Sequence, residues 1–62
     1  MEWKDWIGKK IFVKLSSGDC YNGVCKDVDV DNTFLLMIDK YGDNVAVAIS
    51  QIIKIVEGNN GH

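Results

Sequence analysis

Apolar and polar residues alternate with a period of two through much of this chain. From Lys9 to Leu15, Ile11, Val13 and Leu15 fall on one side, and Lys10, Phe12 and Lys14 on the other. That is the pattern of a half-buried strand. Ser16, Ser17 and Gly18 read as a hairpin loop. A second strand is expected from Asp19 to Val28, with Tyr21 and Cys25 on one face. Gly23 interrupts it, and a glycine inside a strand marks a bend or a close backbone approach. Asp29 to Asn32 is a polar break before a third run, Thr33 to Ile38. In that run Phe34, Leu36 and Ile38 share one face and Leu35 and Met37 the other. A strand with one wet face would alternate, so this one is expected to be covered on both sides.

Asp39 to Asn44, containing Tyr41, Gly42 and Asp43, reads as the next turn. Val45 to Ile49 and Ile52 to Val56 are again apolar on both faces, separated only by Ser50 and Gln51. Two strands so close in sequence cannot continue in line. A single 3₁₀-like turn would carry the second across from the first. Exposed apolar edge strands invite pairing with another chain. At the start, Glu2 to Ile7 places Trp3, Trp6 and Ile7 on one helical face, with Gly8 as the stop. The two tryptophans could form a base-stacking platform, but a lid packed on the sheet is the preferred reading. The end, Glu57 to His62, is polar and glycine-rich and reads as a flexible tail.

With 62 residues this is one domain, spanning 1–62, and 47% of those residues are hydrophobic. A domain of this size buries only about 60% of its unfolded surface and is marginal alone. Association with further copies is a common remedy. Cys20 and Cys25 have odd spacing, so on one strand they point apart and should stay free thiols. Their pattern offers no zinc site. No apolar run reaches membrane-spanning length and no signal peptide is visible, so a cytoplasmic chain is expected. The net charge is −2, and all seven basic residues are lysines. Bidentate recognition of phosphate or guanine by arginine is therefore excluded.

Val13, Leu15, Gly18, Gly23, Cys25, Asp29, Asn32 and Leu35 together resemble the first signature motif of the Sm-like (LSm) family. The likeness extends from the amphipathic start to Val56. It implies an all-β fold: a small SH3-like barrel of five strongly bent antiparallel strands with a short N-terminal helix over residues 1–8. It implies a homo-oligomeric ring of about five to seven subunits, closed by head-to-tail contact between strands four and five. The interface residues would be Val45, Val47, Ile49, Ile53 and Ile55. Single-stranded RNA would bind near the pore, between the loop joining strands two and three and the loop joining strands four and five. The first loop is Asp29, Val30, Asp31 and Asn32. Asn32 matches the family's base-reading asparagine, while Asp31 occupies the stacking position, where an aromatic or Met is usual. In the second loop Val47, Ala48 and Ile49 replace the usual Ile-Arg-Gly. Ala48, Ile49 and Ser50 do match an Ala-Ile-Ser of the bacterial branch, but its preceding Lys-His falls on Ala46 and Val47.

From the residues alone, Asn32 serves equally as a base reader or as a turn residue bonding its own loop. Asp27, Asp29 and Asp31 lack the glycine and the terminal glutamate of a calcium loop, so no metal is assigned. No base–nucleophile pair and no phosphate-cradling loop is present, so an enzyme is not expected and no cofactor is called for. His62 stands alone at the end. The reading is thus non-catalytic binding of single-stranded nucleic acid, with phosphates drawn by lysines among Lys9, Lys10, Lys14 and Lys26. The rival is a structural or protein-interaction ring without nucleic acid, which the acidic pI of about 5.0 favours.

Overall fold

The computed structural model describes residues 2–58. Five antiparallel strands make one sheet: β1 (Lys10–Leu15), β2 (Cys20–Asp29), β3 (Phe34–Asp39), β4 (Asn44–Ala48) and β5 (Ile52–Glu57). Their order across the sheet is β4-β3-β2-β1-β5, which leaves β4 and β5 as the two edges. Between them lies only a three-residue 3₁₀ turn, Ile49–Gln51. Four strand spacings of a flat sheet measure about 19 Å. The four residue steps from Ala48 to Ile52 reach at most about 14 Å. The sheet must therefore curl so that its edges approach each other at this end. Two hydrogen bonds fasten the turn there: Ser16 N–H donates to the Gln51 carbonyl at 2.8 Å and Ile49 N–H to the Thr33 carbonyl at 2.9 Å.

The bend in β2 has two local causes. At Gly23 the partner strand comes so close that a Cβ would run into the Ile38 carbonyl and lie 2.7 Å from the Asp39 Cα. Only glycine permits that approach. At Lys26 a bulge inserts an extra residue, so Cys25 opposes Met37 while Asp27 opposes Leu36. The bulge resets the alternation. Cys25 points inward before it and Val28 inward after it, although simple alternation would place them on opposite faces.

The core consists of Ile11, Val13, Cys25, Val28, Leu35, Met37 and Val47, each 3% exposed or less. Trp3, Trp6, Leu15, Tyr21, Val45, Ile49, Ile52 and Ile55 pack around it. Cys20 is exposed and Cys25 buried, and both are free. Burial pushes the Cys25 thiol up, against a backbone hydrogen bond that pulls the other way.

Several expectations change in detail. The N-terminal helix is a single 3₁₀ turn, Trp3–Trp6. Residues three apart eclipse in a 3₁₀ turn, so Trp3 and Trp6 share one edge and pack together on the core. Ile7 lies beyond the turn in extended conformation and is 40% exposed. β3 is covered on one face only: Leu35 and Met37 are buried, whereas Phe34 is 42% and Leu36 38% exposed. A single curled sheet has one interior, and nothing among the described residues covers its outside. β5 extends to Glu57, and Gly58 N–H still donates to the Lys10 carbonyl, so the tail begins later than expected. Residues 59–62, including His62, lie outside the described residues. No helix among the described residues is long and apolar enough to cross a membrane.

Candidate nucleic-acid interface

The β2–β3 connection turns on short polar residues. Asp29, the last residue of β2, accepts two hydrogen bonds from Asn32. One comes from the backbone N–H to Oδ1 at 3.1 Å, the other from the side-chain Nδ2 to Oδ2 at 2.8 Å. Aspartate and asparagine form such side-chain-closed turns readily. Thr33 completes the reversal at φ 60°, its hydroxyl donating to the Asn32 carbonyl at 2.6 Å. The Asn32 side-chain amide leads the groups that hold the Asp29 carboxyl below its ordinary range, followed by the Asn32 backbone N–H. The Lys4 ammonium adds a smaller attraction.

One N–H of the Asn32 amide is thus taken. Its second N–H and its Oδ1 have no partner among the described residues. Asp31 is exposed, and Val30 is 48% exposed at the tip. All four expected loop residues are therefore together, with Asn32 oriented by Asp29. The turn-residue role of Asn32 uses only part of its amide.

The Ile49–Thr33 hydrogen bond attaches the second 3₁₀ turn directly to this loop. Beside the junction, Phe34 opposes Ala48 on one side and Asp29 on the other. Ala48 is too small to cover the ring. Phe34 and Lys4 lie close to this loop although neither is among the expected site residues. Phe34 had a signal, as the aromatic nearest Asn32. Lys4 had none, since its approach to Asp29 depends on how the N-terminal turn docks on β2. Of the lysines expected to draw phosphates, Lys9 lies 3.8 Å from Glu57 as a surface ion pair, and Lys10, Lys14 and Lys26 are exposed.

The expected interface residues divide. Val47 is buried in the core, while Val45, Ile49 and Ile55 are half-buried against it. Ile53 is 62% exposed on the β5 edge. Among the described residues, no group of three His, Cys, Asp or Glu side chains comes together to hold a metal. No family model, curated protein or solved structure matches the chain.

Proposed function

We propose that this chain is a ring-forming, Sm-like protein of the cytoplasm that binds single-stranded RNA without catalysis, near the ring pore. The observation that carries the reading is the Ile49–Thr33 hydrogen bond, 2.9 Å long, which unites the two segments that the resemblance assigns to the RNA pocket. The free donor and acceptor of Asn32 complement the O4 acceptor and N3–H donor of a uracil edge. The Phe34 ring supplies the stacking surface that Asp31 cannot. Repetition of the site around a ring adds weak contacts through multivalency.

A second reading, a protein-interaction ring without RNA, is favoured by Asp27, Asp29 and Asp31 crowding the same loop with no arginine in the chain. Negative charge there repels phosphates. Fluorescence anisotropy of a labelled uridine-rich strand separates the two. Binding is expected at roughly micromolar ring. Asn32→Ala should weaken it about fivefold, the worth of about one hydrogen bond. Phe34→Ala should weaken it at least as much, and Asp31→Asn should strengthen it. Absence of binding at tens of micromolar, or indifference to Asn32→Ala and Phe34→Ala, replaces the RNA reading with the second one.

A further inference from the structure

We infer that the outer face of β5, β1 and β2, centred on Phe12 and flanked by Lys10, Lys14 and Lys54, docks an acidic amphipathic helix of a partner protein. The site is a sheet face, so it requires neither the ring nor the RNA pocket proposed above.

Strand register sets the residues of this face side by side. Lys14 of β1 lies opposite Cys20 on β2 and opposite Lys54 on β5. One row further along, Phe12 lies opposite Asn22 and Val56. In the next row Lys10 lies opposite Val24. Ile11 and Val13 alternate with these positions on β1 and are fully buried, so Lys10, Phe12 and Lys14 share the outward face. The three lysines are exposed and Phe12 is half-buried. Val24 and Val56 are 44% and 41% exposed.

Like charges directly opposed across a strand pair repel each other and destabilise the sheet. Lys14 and Lys54 stand in that relation, and among the described residues no carboxylate relieves it. No ion pair forms at Lys10, Lys14 or Lys54. The neighbouring acids are engaged elsewhere. The Asp19 carboxylate accepts from the Ser17 hydroxyl at 3.1 Å, and Glu57 lies 3.8 Å from Lys9. Asp27 and Asp29 belong to the far end of β2, opposite Leu36 and Phe34. A local repulsion kept beside an apolar centre breaks the ordinary rules of a stable sheet, and such breaks concentrate at binding sites. Charge complementarity then calls for an anionic partner with an apolar stripe.

The backbone of β1 selects the form of that partner. β1 has β2 on one side and β5 on the other, so its ladder is filled on both sides. An extended peptide laid over this face would leave its own N–H and C=O groups unpaired, whereas a helix satisfies them internally. From Lys10 to Lys14 the strand runs about 14 Å, the length of about nine helical residues. Over that span a helix sets its apolar stripe on Phe12, Val24 and Val56 and its flanking acids against the ammoniums. Nucleic acid suits the face less. Phe12 is half-buried and its apolar neighbours are aliphatic, so successive bases find no stacking platform.

The probe is a helical peptide of about 15 residues with leucines on one stripe and glutamates beside it. The control peptide carries lysine in place of each glutamate. Added to the isotope-labelled full chain, the glutamate peptide should shift the NMR amide signals of Lys10, Phe12, Lys14, Asn22 and Lys54, with a Kd on the order of tens of micromolar. The lysine peptide should leave them in place. Lys14→Glu should weaken binding about tenfold, because one attraction becomes a repulsion. The same change should raise the thermal unfolding midpoint, because Glu opposite Lys54 is a favourable pair. No shifts at this face at millimolar glutamate peptide, or equal shifts with the lysine peptide, overturn the site. A midpoint unchanged or lowered by Lys14→Glu overturns the repulsion on which it rests. A uridine-rich strand that shifts the same signals and displaces the glutamate peptide overturns the helix and assigns the face to nucleic acid.

Discussion

Asn32 divides its side chain between holding its own loop and facing outward. The division depends on the ionised Asp29 carboxylate, which accepts two of the residue's N–H groups. The carboxyl of Asp29 is held below its ordinary value of 3.8 by those bonds. A lowered folded-state value means that the interaction is complete above the ordinary aspartate range and is lost as pH falls through the lowered value. The Asn32 side-chain amide signals in NMR should therefore stay constant from pH 7 to about pH 5 and move with a midpoint below 3.8. A midpoint at or above that value would show that the two side chains do not bond in solution. Asn32 was readable as a turn residue from its place between Asp31 and Thr33. Its bond to Asp29 was not, because it depends on the path of a turn that also takes Thr33 to positive φ, where β-branched residues are rarely found.

The strands themselves were legible within a residue or two, since alternation and apolar runs report burial. The faces were less legible where the alternation is reset. The bulge at Lys26 turns Val28 inward, and runs such as Phe34 to Ile38 do not reveal which face meets the core. β4 shows the consequence. It is an edge strand, yet its Val47 side chain belongs to the chain's own interior at 3% exposure. A domain of this length has a stability of about 3 to 9 kcal/mol. An unpaired buried charge costs several kcal/mol. Val47→Asp should consequently abolish the cooperative unfolding transition in circular dichroism, whatever the assembly state. Ile53→Asp, at an exposed edge position, should keep the transition and the secondary structure while removing the ring. If Ile53→Asp retains the wild-type mass in light scattering, β5 is not an assembly edge.

At the scale of the molecule, the outside of the sheet is as telling as its core. Val24, Phe34, Leu36, Ile53 and Val56 are all between 38% and 62% exposed on a chain whose formal charge is only −2. Two edges with free backbone groups add to that surface. Closing them on each other around a ring removes both at once, as a head-to-tail contact does when its rotation closes. With a chain mass of 6.9 kDa, native mass spectrometry should give one species of about 35 to 48 kDa, that is, five to seven copies. A monomer at micromolar concentration would leave the apolar outside unexplained and reject the assembly.

The amino-acid order by itself determined the local facts: five strands, their turns, the special place of Gly23, the opposite facing of Cys20 and Cys25, and the loop holding Asn32. These depend on residues within a few positions of one another, where period, glycine and short polar side chains act directly. Only the tertiary structure decided that Val47 points inward, that Phe34 and Leu36 stay open, and that Lys4 lies near Asp29. It alone brought Thr33 against Ile49. Each of these depends on which strand lies beside which, and on the curl that three residues between β4 and β5 impose on the whole sheet. That curl joins positions far apart in the chain, and no local pattern records it.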